Sequence, residues 1–312
     1  KADMCNKQRK ILSALSFALL TFAFLLSGCA EPILEHRMPL SSAEITQRAE
    51  AFRTVTAANA EAWNEKDLDA IRAVLTEDIH FIDVSFGDDI KGIEDVMDMA
   101  RFMCNIAPDL QRKTTRYYIG VDQGVAFYDY WNMWNPFTGY TPEKPYIYVF
   151  LFETHGDLIS YWRLFEGFEM LDKHFINDTV ANGLQAMIAA YTSAWSSKDP
   201  EAIAEIYAVD AVRNDSLFGE NQQGLNEIQT FAQSFFSWHP NSRWTSYDVF
   251  GERRYEGTPQ TIGSSYGIQI TSPTGETCEV MAVVLLQVLD GEIIQEDMYY
   301  EPDSLMQCGW AK

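Results

Sequence analysis

Asp83 and Asp215 are the side chains of this 312-residue sequence best placed for acid–base work. Each sits in a short run that reads as a strand. Alternation along such a run puts Phe81 and Asp83 on one face, and Arg213 and Asp215 on the matching face. A carboxylate among apolar neighbours has its pKa raised, which suits it to take a proton from a weak carbon acid. An arginine close by has the opposite effect. Arg213 lies two residues from Asp215 and can neutralise it. Two later strands carry further polar sets. Tyr161, Arg163 and Phe165 share one face of the first, and Glu296, Met298 and Tyr300 share one face of the second. Such acid–arginine sets either bind a polar ligand group or simply hold structure together.

Those residues belong to a repeat. Residues 62–75 read AWNEKDLDAIRAVL and residues 194–207 read AWSSKDPEAIAEIY, an offset of 132. Asp78 matches Asp210, Asp83 matches Asp215, Phe86–Gly87 match Phe218–Gly219, and Gly92 matches Gly224. A period this long means two copies of one domain and not a solenoid. In each copy apolar residues recur at helical spacing three times. Ile45, Ala49, Phe52, Val55 and Trp63 form one stripe, and Val180, Leu184, Ile188, Tyr191 and Trp195 form its counterpart. Asp67 and Asp199 cap the second helices, the latter before Pro200. A meander of aromatic and β-branched strands follows, and His155-Gly156 is matched to Asp290-Gly291 as the last hairpin turn. Helices first and strands afterwards predict an α+β fold. The expected domains are residues 41–177 and 178–312.

The N-terminus differs from the rest. Lys7, Arg9 and Lys10 precede the apolar run Ile11–Leu26, the pattern of a signal peptide over residues 1–29. A transmembrane anchor is the alternative, though the run is short for a span. Leu26-Ser27-Gly28-Cys29 resembles the lipobox of bacterial lipoproteins. That resemblance implies cleavage before Cys29, its lipidation, and membrane attachment through the lipid only. Ala30 after the cysteine suits sorting to the outer membrane, and residues 30–40 read as a tether. The formal net charge of −22 would repel nucleic acid. Beyond Cys29 the mature part has three cysteines, of which Cys278 and Cys308 could pair. The five histidines are dispersed, so neither a metal nor a cofactor is expected.

Both copies resemble the nuclear-transport-factor-2-like superfamily, and within it the SnoaL-like group and the ketosteroid isomerases. The residues that carry this are Asn64–Ile71, Asp78, Phe81-Ile82-Asp83, Gly92, Gly156–Phe165 and the ending Tyr299–Leu305. The resemblance implies two tandem cone-shaped domains, each of about three helices packed on a curved antiparallel sheet around a pocket. It places Asp83 and Asp215 at the general-base position. It points Tyr161, Arg163 and Phe165 inward, where Arg163 would depress the pKa of Asp83. It sets Tyr191 at an oxyanion-hole tyrosine, with Asn59 as its counterpart. Phe150 and Leu285 stand where the isomerases carry a second acid. Superfamily members often dimerise through the outer sheet face, so the copies are expected to pack as an intrachain pseudo-dimer. Three functions are compatible: binding of a small, largely apolar organic molecule, an isomerase, cyclase or dehydratase, or an interaction module of the envelope.

Overall fold

A computed structural model describes residues 40–83, 88–120, 123–132, 145–167, 178–215, 220–252, 259–272 and 274–309. The expected signal peptide with Cys29, the expected tether up to residue 39, Phe86–Gly87, Phe218–Gly219 and the link over residues 168–177 lie outside these. No helix among the described residues is long and apolar enough to cross a membrane.

The first copy opens with helix α1 (Ser42–Glu65), started by a capping box between Ser41 and Glu44 and closed by Lys66 in the left-handed region. Asp67 caps α2 (Leu68–Ala73). Strands β1 (Leu75–Asp83) and β2 (Asp88–Lys91) then form a hairpin before α3 (Ile93–Ile106). The meander β3 (Gln111–Ile119), β4 (Gln123–Trp131), β5 (Tyr146–His155) and β6 (Leu158–Gly167) completes it, and β1 pairs in parallel with β6. The second copy repeats the order: α4 (Asp178–Ser197), α5 (Pro200–Ala204), β7 (Tyr207–Asp215), β8 (Glu220–Gln223), α6 (Leu225–Trp238), then β9 (Arg243–Gly251), β10 (Gln260–Thr271), β11 (Thr277–Leu289) and β12 (Glu292–Tyr300). A last helix, α7 (Pro302–Gln307), is tied to β11 by the Cys278–Cys308 disulfide.

Two separate curved sheets were the expectation. The strands instead join into one 12-stranded sheet. The joints are short. Glu166 and Gly167 on β6 pair with Gly251 and Phe250 on β9, and Tyr300 on β12 pairs with Ile119 on β3. With the meanders, these joints close β3–β6 and β9–β12 into a circuit. Three apolar cores result. One lies between the helices and sheet of each copy. The third is enclosed by both meanders and contains Tyr118, Phe127, Val149, Phe165, Phe250, Val283, Leu285 and Tyr299. Gly263 makes room there, since a Cβ would fall 2.4 Å from the Phe250 ring. The central stretches of β4, β5 and β11 are therefore buried on both faces, which accounts for their near-continuous apolar runs, whereas β3 and β9 begin with exposed polar residues.

Candidate functional site

The hairpin before the last strand decides which side chains enter the interior of each copy. In the second copy the two-residue loop is Asp290-Gly291, both at positive φ. In the first it is Gly156-Asp157, not His155-Gly156. The match between the copies therefore moves by one residue along β6, and a slip of one residue exchanges the two faces of a strand. Pairing confirms the shift: Phe81 lies opposite Trp162 on β6, and its counterpart Arg213 lies opposite Glu296 on β12. Trp162 and Leu164 accordingly face the first copy's interior. Phe165 lies in the core between the copies, with Tyr161 packed against it. Arg163 turns to the second copy, where it donates to Glu252 and, at 3.2 Å, to the Thr261 hydroxyl. The expected Arg163–Asp83 pair does not form. Leu285 also lies in the core between the copies, so Val284 is the inward residue that matches Phe150.

The second copy gathers its expected residues. The Arg213 guanidinium donates through Nε to Glu296 at 2.9 Å, to Gln222 at 3.0 Å and to Asp215 at 3.2 Å. It also lies over the Phe231 ring at 4.2 Å and the Trp195 ring at 5.3 Å. Tyr191 donates to Glu296 at 3.1 Å, Tyr207 donates to the other oxygen of Glu296, and Tyr300 donates to Asp215 at 2.8 Å. Met298 contributes its sulfur 3.9 Å from the guanidinium. All of these side chains are buried. Burial pushes the Glu296 pKa up, against the opposing pull of Arg213 and of the tyrosines that bond it. The carboxylates are thus saturated, and Asp215, pinned by an arginine and a phenol, is poorly suited to collect a proton.

The first copy is built differently. Its buried arginine is Arg112 on β3, in the place of Trp244 on β9. Arg112 donates to the Asn59 carbonyl at 3.0 Å, the Asn59 side-chain oxygen at 2.8 Å and the Tyr130 hydroxyl at 3.1 Å. Its guanidinium stacks 4.6 Å from Trp63 and stands 5.7 Å from Trp162. No carboxylate among the described residues pairs with it. Asp83 is half-buried at the end of β1, and Glu166 is buried at the end of β6. Both lie close enough to Tyr148 to add to the effect of burial in raising its pKa. Phe81, Tyr128, Tyr130, Tyr148, Phe150 and Trp162 surround them as core aromatics. Arg112 is not among the residues expected at the site. The signal was available in Trp244, an aromatic core residue at the matching position. His80 pairs with Asp89 at 2.7 Å on the outer side and takes no part. Among the described residues no three His, Cys, Asp or Glu side chains are grouped to hold a metal.

The comparisons with known proteins agree with this duplicated plan. A family model of SnoaL-like polyketide cyclases matches residues 185–307, and a model of SnoaL-like domains matches residues 55–162. The chain carries two SnoaL-like domains. No curated protein matches the sequence. Solved structures match one domain at a time. A Catenulispora acidiphila protein with a ketosteroid isomerase-like fold, solved in complex with trimethylamine, is 25% identical over 39% of this chain and 92% of its own, with a TM-score of 0.33. A nuclear-transport-factor-2-like protein of unknown function from Cytophaga hutchinsonii is 15% identical over 39% and 94%, with a TM-score of 0.30. An uncharacterised Caulobacter vibrioides protein with a cystatin-like fold is 19% identical over 40% and 93%, with a TM-score of 0.34. In the first SnoaL-like domain an aromatic interior surrounds a lone buried cation, and in the second a closed ionic network occupies the interior.

Proposed function

We propose that the protein is an envelope lipoprotein whose first SnoaL-like domain, residues 41–177, holds a small, largely apolar organic molecule, while the second, residues 178–312, serves as its rigid partner. One observation carries the reading. The buried charges of the second domain satisfy one another, whereas Arg112 in the first meets no acid among the described residues. The helical wall supports the same assignment. Met99, Met103 and Cys104 on α3 stand where α6 carries Phe231, Phe235 and Phe236. Methionines repack around a guest at little cost, and a row of phenylalanines does not. A test uses 2-naphthol titrated into protein carrying 13C-methyl methionine. The Met99 and Met103 signals are expected to shift while Met298 stays in place. A shift of Met298 with Met99 and Met103 unmoved would sink the assignment.

The two domains pair in this reading as an intrachain pseudo-dimer about a near two-fold axis. Arg116 and Asp248 support it, because they occupy the same position of the repeat, 132 residues apart, and bond each other at 2.6 Å. Only residues beside a two-fold axis meet their own counterparts. The tandem Leu26-Ser27-Gly28-Cys29 supports export and lipidation, and a disulfide suits an oxidising compartment. Cys29→Ser is expected to abolish labelling by a palmitate analogue in cells, and persistent labelling would remove the anchor from the proposal.

A second reading, an isomerase, cyclase or dehydratase with Asp83 as general base, has one observation in its favour. Arg163, which would have weakened that base, is committed to Glu252 across the joint. Asp215 has no comparable support, since Arg213 and Tyr300 hold it.

A further inference from the structure

Around Arg112 the first domain buries more donors than acceptors. Among the described residues Arg112 Nε, Asn59 Nδ2, Trp63 Nε1 and Trp162 Nε1 lack a hydrogen-bond partner; Trp195 Nε1 and Trp244 Nε1 lack one in the second domain too, so Arg112 Nε and Asn59 Nδ2 are what set the first domain apart. The four donors of the first domain belong to one cluster, since the guanidinium lies over both indoles and bonds the Asn59 side-chain oxygen. That bond also settles the amide orientation: a guanidinium can only donate, so Oδ1 faces it and Nδ2 is the free end. Each orphaned donor carries a desolvation penalty, and a buried cation without a counter-ion carries a larger one. The stacked indoles offset part of that penalty through their π faces. They supply no acceptor for the N–H groups that lack one.

The second domain shows what answers a buried arginine at this depth, although Trp195 Nε1 and Trp244 Nε1 lack partners there. Its interior centres on a carboxylate, that of Glu296, taking one bond from an arginine and two from phenols. In the first domain Trp162 stands at that position, so the carboxylate is missing while the arginine remains, moved to β3. Asn59 also replaces Tyr191, which removes an aromatic ring from the helix side. An open groove of about 530 Å³ between α1 and β3, lined by Ala57, Ala60 and Asn64, has Arg112 in its wall. The matching groove of the second domain has Trp244 there instead. Its rim carries Glu61 and Glu65 as well as Lys113, so an anion is recognised at Arg112 and not steered from the rim.

We infer that the ligand of the first domain is an aromatic or otherwise flat apolar acid, whose carboxylate enters by the groove between α1 and β3 and gives Arg112 and Asn59 the acceptor that Glu296 gives Arg213 in the second domain. This rests on the ligand-binding reading above and adds the chemical class.

Calorimetry with 2-naphthoate and its neutral isostere 2-naphthamide on the full chain at pH 7 tests it. The wild type is expected to bind the acid at least about tenfold more tightly than the amide, the range for a charge-assisted pair in a dry site. Arg112→Met should erase that ratio and leave amide affinity within about threefold, and Arg112→Lys should restore part of it. Asn59→Asp sets a carboxylate of the chain itself against Arg112, so it should erase the ratio even if Arg112→Met fails to fold. Equal affinities for the two probes, with the amide bound, would overturn the inference and leave the binding reading intact. Binding of neither probe would overturn both.

Discussion

Each of the two SnoaL-like domains places a buried arginine in its interior, from different strands, and they treat it in opposite ways. In the second domain Arg213 rises from β7 into two carboxylates, an amide and two rings. In the first, Phe81 takes that position, and Arg112 enters from β3 among indoles, an amide and a phenol. Equivalent backbones thus support either a closed ionic network or a lone cation in an aromatic box. The difference teaches that the number of buried charges says little about function. Whether each charge is answered from within the chain says more.

The sharpest way to break this comparison is to remove each arginine in turn. Arg213→Met strands Glu296 and Asp215 without a cation, so it should destabilise the protein by about 3–5 kcal/mol. Arg112→Met strands no carboxylate among the described residues, and relief of the buried cation offsets part of its three lost hydrogen bonds, so its cost should stay near about 1–2 kcal/mol. Urea denaturation followed by circular dichroism measures both. Equal costs would mean that Arg112 has a counter-ion after all. The next effect belongs to the disulfide. Cys278–Cys308 closes a loop with a sequence separation of 30 and ties α7 to β11 in the second domain. Reduction, or Cys278→Ser, should cost about 3 kcal/mol by chain entropy. Coincident melts with and without reductant would show that the bond is absent in solution. The smallest effect probes the axis between the domains. Arg116 and Asp248 are each about one third exposed, which keeps their pair to about 0.5–1 kcal/mol. Arg116→Asp should cost that much by setting two acids side by side, and adding Asp248→Arg should recover it in a double-mutant cycle. No recovery would show that the two residues do not meet.

Much of this architecture was legible in the chain. Helix starts at Ser41, Asp67 and Asp199 follow from side chains able to cap the first turn, a local effect. The common face of Arg213 and Asp215 follows from strand alternation, which is local too. Arg163 was assigned to the wrong interior because alternation says which residues share a face and not which way that face points. The direction depends on a hairpin loop being Gly156-Asp157, one residue along from the sequence match.

What the sequence determined by itself is the duplication, the order of helices and strands in each copy, and the residue sets that travel together on each face. These rest on periodicity and capping, whose range is a few residues. Only the tertiary structure decided which sets face inward, that Arg112 and not Arg163 enters the first domain's interior, and that the two meanders close on each other at β6–β9 and β3–β12. Those outcomes depend on register between strands far apart in the chain. A slip of one residue costs nothing in local propensity and exchanges every side chain between the interior of a domain and the core it shares with its partner.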